Sequence, residues 1–355
     1  MDIVVIGAGL SGLTAAAMLR EAGASVQVID AGTTIGGRIQ ALRDPVSNRA
    51  LADLGSTWVW PEYQPVAAQW LERLGVDTFD QFNEGDAILQ GYAPTQLRQP
   101  LPGQDGMARM IGGPSALIDA LADRVGRTNI RVSAKAVEIS AQGKQHTSVL
   151  LSTGESLIAR RVIIAVPLRV AAATLRLPWA PPVLMSAMRA TPTWMSTHAK
   201  AVALYNRPFW RDAGLSGRLA SRHGPLVEAH DHSGIDGTPS ALFGFVGWGP
   251  ERRRSDPEGL RKAILDQLST CFGVQAAHPL ELVIQDWATK PEIVTKQDLS
   301  QPQNHPEVGP ALLRQPHLEG RVLFAVSEVS NISPGLIEGA LAIGEQVALH
   351  LIDEA

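Results

Sequence analysis

The sequence predicts an α/β fold, and three observations carry that prediction. The opening stretch "DIVVIGAGLSGLTAAAMLREAGASVQVIDA" reads as an apolar strand, a glycine turn, a small-residue helix and a second strand. Residues 323–344, "LFAVSEVSNISPGLIEGALAIG", repeat the order of apolar run, turn and small-residue helix near the other end. The 355 residues are 45% hydrophobic and 19% charged, enough apolar material for one large domain or two intimate ones with a sizeable core.

Each part of the amino-terminal pattern has a physical task. Gly7, Gly9 and Gly12 are spaced Gly-x-Gly-x-x-Gly, with Ser11 inside the motif. Gly7 permits a tight turn, Gly9 leaves the backbone bare where a diphosphate must approach, and Gly12 lets the helix pack close to the strand. The helix amino terminus then presents free N–H groups and a partial positive charge to the phosphates. Asp30 closes the second strand, where a carboxylate accepts hydrogen bonds from ribose hydroxyls and disfavours a 2′-phosphate. This is a Rossmann-type dinucleotide site for FAD or NAD rather than NADP. The next stretch, "AGTTIGGRIQA", adds Gly36, Gly37 and Arg38, a second bare backbone with a guanidinium fork, and favours FAD.

From these motifs onward the chain resembles the flavin-containing amine oxidase family, and the likeness extends over most of its length. "ADLGSTWVWPEYQPVAAQWLERLGV" is similar to a family segment, which implies that Gly55, Ser56, Thr57 and Trp58 lie near the flavin. "GGPSALIDALADRVGRTNIRVSAKAVEISAQG" resembles the family's next helix and strand, implying that the backbone of Val137 reaches the adenine. "ARRVIIAVPLRV" is similar to the family strand that ends here at Val166 and Pro167, with Leu168 where many relatives have a second proline. "THAKAVALYNRPFWRDAGLSG" resembles the family's lysine strand; the resemblance gives Lys200 the catalytic place, linked through a water to the flavin N5. Trp287, in "IQDWATKPEIVTKQDL", resembles a tryptophan that walls the flavin pocket, with core packing the alternative. In the closing segment the likeness implies that Glu328 binds FAD near its ribityl or diphosphate part. Leu336 and Ile337 would open a helix whose N–H groups face the flavin's pyrimidine edge, which becomes anionic on reduction.

The chain departs from the family in places. Val326 and Ser327 replace a usual Gly-Thr, and Leu336 stands where monoamine oxidases carry a cage tyrosine. Only three tyrosines exist, Tyr63, Tyr92 and Tyr205, which argues against a two-tyrosine cage. No cysteine precedes the closing motif at the spacing of the family's occasional thioether, so FAD is expected to be noncovalent. A long, mainly helical piece that relatives insert between about Gly75 and Gly106 is mostly missing. That shortening implies a more open site, or one completed by a partner subunit in a homo-oligomer.

Other features point away from other functions. A net charge of −4 gives no basic field for nucleic acid. No apolar stretch reaches the roughly 18 to 20 residues of a membrane span, and no secretion signal is evident, so a cytoplasmic protein without membrane partners is expected. Cys271, the single cysteine, excludes an internal disulfide and reads as core packing. "EAHDHSG", with His230, Asp231 and His232, reads as a hairpin rather than a metal site, because alternating strand residues point to opposite faces. "LRQPLPGQDG" reads as a connection, and Ser255 or Asp256 as the cap of a helix from Pro257.

The expected architecture is a discontinuous FAD domain from residues 1–60, 105–170 and 316–355, and a mixed-sheet or antiparallel substrate domain from 61–104 and 171–315. The resemblance implies oxidation of an amine C–N bond, with hydride passing to flavin N5, the imine hydrolysed, and dioxygen as acceptor giving hydrogen peroxide. Two alternatives stay open. The same architecture serves desaturation and porphyrinogen-type or reduced-nicotinamide (renalase-like) oxidation, and a noncatalytic flavin-bearing interaction module is the reading of another class.

Overall fold

The computed structural model describes residues 1–301 and 304–354. The expected α/β architecture is present. Its first sheet is wholly parallel, in the order Ile130–Arg131, Val26–Ile29, Ile3–Ile6, Arg161–Ile164, Val322–Phe324. Three widely separated parts of the chain therefore contribute to it. The central strand Ile3–Ile6 is buried throughout, sharing one core with the helix Leu10–Glu21 and with the three-stranded antiparallel sheet of Ala136–Gln142, His146–Leu151 and Ser156–Ala159, which is why it reads as an unbroken apolar run.

The helix Leu10–Glu21 packs on the closing helix Ile337–Asp353 and on Ser115–Val125. Small residues make the first crossing close. A Cβ at Gly344 would lie 2.5 Å from the Ser11 carbonyl oxygen and 2.8 Å from the Thr14 Cβ, while one at Gly12 would collide with the Gly7 carbonyl, so that glycine lets the helix sit close to the first strand. The alanines and glycines of both helices are thus explained by packing.

The second sheet has seven strands in the order Glu281–Asp286, Ala199–Tyr205, Ser240–Val246, Leu226–Asp231, Leu215–Ser221, Asp86–Gln90, Leu97–Gln99. Every neighbour is antiparallel except Leu215–Ser221 with Asp86–Gln90, so the sheet is mixed. Along Ala199–Tyr205 the side chains alternate by period two. Ala199, Ala201, Ala203 and Tyr205 join a core with Leu260, Ile264 and Leu268 of the helix Pro257–Phe272. Val202 and Leu204 face the other way, onto Ala52 and Leu54, and Lys200 shares their face by period two. That alternation delivers Lys200 to the space between the two sheets.

Asp256 caps the helix Pro257–Phe272 by accepting from the Gly259 N–H, while the Ser255 hydroxyl donates to the Arg252 carbonyl. Cys271 is buried in that helix, as core packing requires. The stretch read as a plain connection contains the edge strand Leu97–Gln99. Two segments pack across the expected domain boundary. Ala67, Trp70 and Leu71 of helix Pro65–Leu74, and Leu184 and Met188 of helix Pro182–Ala190, share the core of the parallel sheet, because their apolar faces meet its helices and loops. No described helix is long and apolar enough to cross a membrane.

Candidate functional site

A cavity of about 560 Å³ runs from the glycine turn to the inner face of the seven-stranded sheet. Gly7 takes φ +113°, a conformation open to glycine, and directs the chain from the strand into the turn. Around Gly9 no heavy atom lies within 4 Å of where a Cβ would stand, so bare backbone faces the cavity. Both helices that open on this space, Leu10–Glu21 after Gly9 and Ile337–Asp353 after Leu336, lack a side-chain cap. Their first N–H groups remain available to an anion. Asp30, at the same end, accepts from the N–H groups of Ala8 and Gly32, each at 2.7 Å. Burial pushes its carboxyl above the ordinary value, and those two hydrogen bonds oppose the rise. The uncapped helices, bare glycine backbone and terminal carboxylate fit the phosphates and ribose of FAD.

Arg38 borders the same cavity and is fixed by four acceptors. It donates to both oxygens of Glu328 (2.6 and 3.1 Å), to the Ser327 hydroxyl and to the Trp194 carbonyl (each 2.9 Å). Glu328 also accepts from the Trp194 N–H and the Ser327 hydroxyl. Burial alone would raise the Glu328 pKa, but Arg38, Ser327 and Trp194 together hold it below the ordinary value. Glu328 is consequently a buried anchor for Arg38, which faces the cavity in its place.

Lys200 projects from its strand into the opposite wall. Its ammonium donates to the Gly55 carbonyl at 3.1 Å and the Thr57 hydroxyl at 2.5 Å, and sits 4.1 Å from the Phe243 ring centroid. Gly55 is required there because a Cβ would collide with the Arg38 carbonyl and approach the Trp287 ring at 3.3 Å. Burial pulls the Lys200 pKa down to about 7; nearby Asp53 opposes that fall and Arg109 adds to it. Asp53 is itself raised by burial, against the pull of Lys200 and Arg109. A lysine near neutrality beside a cavity can change charge within the physiological range.

Gly7, Gly9, Ser11, Asp30, Gly37, Arg38, Gly55, Ser56, Thr57, Trp58, Val166, Lys200, Trp287, Leu336 and Ile337 all line this one space. Gly12 lies behind the wall, where it spaces helix from strand. Val137 is displaced from its expected place. It sits at a bulge where its carbonyl accepts from the Arg176 N–H, while Ala134, Lys135 and Ala136 form the wall. Glu328 is displaced in the same sense, since its oxygens are taken up by Arg38, Ser327 and Trp194.

The structure also adds residues that sequence reasoning missed. Trp194, His198 and Phe245 line the cavity. His198 precedes Lys200 by two positions, so strand alternation could have found it. Its pKa is lowered by burial and by Arg253, and its Nδ1 is buried without a partner. Tyr63, Tyr92 and Tyr205 all lie away from the wall, and Tyr205 donates instead to the Ala276 carbonyl. The "EAHDHSG" stretch forms a strand and turn, as expected, and His230 and His232 share a face opposite Asp231. Asp231 accepts from Trp210 and Arg211, and no metal-binding group occurs among the described residues.

Comparisons with known proteins agree with this geometry. The family described as flavin containing amine oxidoreductase matches residues 95–352, and an NAD(P)-binding Rossmann-like domain matches residues 5–74. A probable flavin-containing monoamine oxidase A of Dictyostelium discoideum is 21% identical, over 99% of this chain and 98% of its own length. The flavin-containing amine oxidase B of Bos taurus is 23% identical, over 99% of this chain and 86% of its own. The solved structure of cyclohexylamine oxidase from Brevibacterium oxydans IH-35A superposes with a TM-score of 0.82 at 21% identity, over 99% of both chains. Wild-type putrescine oxidase bound to putrescine superposes with a TM-score of 0.80 at 20% identity, also over 99% of both chains. At these identities the structural likeness speaks for the fold.

Proposed function

This chain belongs to the flavin containing amine oxidoreductase family and is an FAD-dependent oxidoreductase, and from that premise we propose that its cavity oxidises the C–N bond of a small amine. The observation that carries the reading is the buried Lys200 ammonium, held by Gly55 and Thr57 in the wall of a cavity whose far end is a dinucleotide cradle. When bound, FAD supplies the redox chemistry: a hydride acceptor for the carbon alpha to a neutral amine, water hydrolysing the imine, and dioxygen taking the electrons to give hydrogen peroxide.

The chain's own residues supply binding and electrostatics. The uncapped amino termini at Gly9 and Leu336, with Arg38, would hold the anionic parts, and Asp30 the ribose. Trp287 and Trp194 form apolar walls that exclude water. Lys200 presents a donor whose charge responds to pH near neutrality. Binding is noncovalent in this reading, since Cys271 lies in the other core, beneath the helix Pro257–Phe272. The discontinuous division into a dinucleotide unit and a substrate unit is proposed with it, the helix Pro65–Leu74 going with the former.

The test is the visible spectrum of the purified protein, followed anaerobically as putrescine, cyclohexylamine, benzylamine and amino acids are added. Bleaching of the flavin band by one class, with aldehyde or ketone product and peroxide on admission of air, is the expected result. A bound flavin that no amine bleaches would turn the reading toward desaturation or oxidation of a reduced nicotinamide.

A further inference from the structure

We propose that Gln285 determines which amines the cavity takes: its side-chain carbonyl accepts an N–H from a neutral primary or secondary amine placed beside Lys200, against tertiary amines. The inference rests on the amine-oxidising reading of this cavity, and deepens it.

Sheet register puts Gln285 next to Lys200. The two are directly paired across the edge strand Glu281–Asp286 and the strand Ala199–Tyr205, and Lys200 is paired with Phe245 on its other side. Directly paired residues of an antiparallel ladder share a face, with Cβ atoms about 4.5–5.5 Å apart. One row across the inner face of the sheet thus reads Gln285, Lys200, Phe245, and all three line the cavity. The adjacent row on that face, Val283, Val202 and Phe243, is apolar and packs with Ala52 and Leu54. On the other side Trp287 donates its N–H to the His198 carbonyl, and both residues line the cavity.

Packing gives no reason for a carboxamide between Val283 and Trp287. Gln285 is half-buried, and its side chain makes no hydrogen bond to any described residue. The other two carboxamides of the wall are occupied. Gln64 accepts the Trp60 N–H at 2.9 Å, and Gln40 donates to the carbonyls of Ile35 and Gly37. Gln285 therefore keeps a free carbonyl for a ligand, one of the few polar groups that orient a molecule in an apolar cavity.

Charge decides the form of the amine. The carboxylates of the wall are Asp30 and Glu292, and Glu292 is near enough to raise the Asp30 pKa, so both stand at the dinucleotide end. Around Gln285 the wall carries Lys200, His198 and Lys290. Asp286, on the other face of the same strand, is held by Arg253; Glu228, beyond Phe245, bonds His230; Asp53 is buried outside the wall. A carboxylate at position 285 would favour the ammonium, whose lone pair is blocked, whereas a carboxamide accepts an N–H without that bias. The lone pair then stays free to form the C=N bond as hydride departs. A tertiary amine has no N–H to give.

The test follows anaerobic flavin reduction by stopped flow with benzylamine and cyclohexylamine, each beside its N-methyl and N,N-dimethyl derivatives. The natural protein should favour the amines that carry an N–H. In Gln285→Leu that preference, as the ratio of rate over dissociation constant, should fall roughly three- to tenfold, the worth of one neutral hydrogen bond. In Gln285→Glu the limiting rate at saturating primary amine should reach half its maximum at a pH higher by roughly one to three units, because the new charge keeps the bound amine protonated. Gln285→Leu should show no such rise. A side chain serving only the fold would slow all the amines alike and leave both the ratio and the pH midpoint in place. An unchanged ratio in the leucine variant, or an unmoved midpoint in the glutamate variant, overturns the proposal while the amine-oxidase reading stands. A natural protein whose flavin none of these amines bleaches overturns both.

Discussion

Lys200 is the residue where stability and function pull apart. Burial holds its pKa at about 7, whereas an unfolded lysine titrates near the ordinary value of about 10.4. Between those limits the unfolded chain binds the extra proton, so stability should rise with pH across that window. The cost of the buried ammonium is thus fully present below about pH 7 and relieved toward pH 10. Lys200→Met should consequently gain more stability relative to the natural protein at pH 6 than at pH 9 in urea titrations. A difference that is constant with pH would show that the lysine is not desolvated as described. The same substitution should slow flavin reduction or reoxidation on the order of 10²-fold, the lower range for loss of a group acting in proton transfer, while FAD stays bound. Stopped-flow traces identical to those of the unmutated protein would remove Lys200 from the mechanism. Reduction should also quicken as pH rises and the amine substrate loses its proton; a rate flat from mildly acidic to alkaline pH would count against hydride transfer from a neutral amine.

At the level of elements, the crossing of Leu10–Glu21 and Ile337–Asp353 ties the two ends of the chain together through small residues. Gly344→Val should force the helices apart, because its Cβ would meet the Ser11 carbonyl and the Thr14 side chain. Overpacking of this kind costs about 1–3 kcal/mol, and a scanning calorimeter should record a melting temperature lower by several degrees. An unchanged melting temperature would mean that the helices can separate freely. The first strand, turn and helix were legible in the sequence because each glycine there has a local steric task within a few residues. The closing helix was legible for the same reason, its glycines and alanines requiring a close neighbour. Glu338 was not: its carboxylate accepts from the N–H groups of Val66 and Ala67, at the start of a helix far away in sequence. Its charge looks from sequence like an ordinary first-turn acid, and only the tertiary fold reveals a cap supplied to another helix. The edge strand Leu97–Gln99 was missed likewise, because its exposed side chains carry no burial pattern and its identity comes from pairing with Asp86–Gln90.

Across the whole molecule, the site depends on chain segments that meet only in the folded state. Arg38 and Glu328 illustrate what a linear reading can and cannot supply. The residue types marked both as site residues, but their bond to each other, spanning most of the chain, turned an expected ligand contact into an anchor. The contact of His232 with the Asp53 backbone was invisible for the same reason: the two lie on separate segments with no shared motif. Glu328 is nearly inaccessible to solvent, so Glu328→Gln leaves the Arg38 charge without its counter-ion. Breaking a fully buried pair from one side costs about 3–5 kcal/mol, and the loss here is smaller because Arg38 is partly exposed to the cavity and keeps the Ser327 hydroxyl and the Trp194 carbonyl. The carboxyl's lowered pKa gives the same contact a pH limit: its contribution is complete above the ordinary carboxylate range and is lost as pH falls through the lowered value. FAD should act on this framework as a ligand that binds only the folded chain, adding about 2.7 kcal/mol at a hundredfold excess over its dissociation constant. Thermal melts at pH 7.5 should therefore rise with the logarithm of added FAD in the natural protein. In Glu328→Gln the melt should begin lower, and equal stabilisation should need more FAD, because Arg38 no longer stands preorganised at the cavity wall. A melting temperature indifferent to FAD would contradict the cradle; a variant with the natural protein's FAD dependence would show that the Arg38–Glu328 bond serves the fold and not the site.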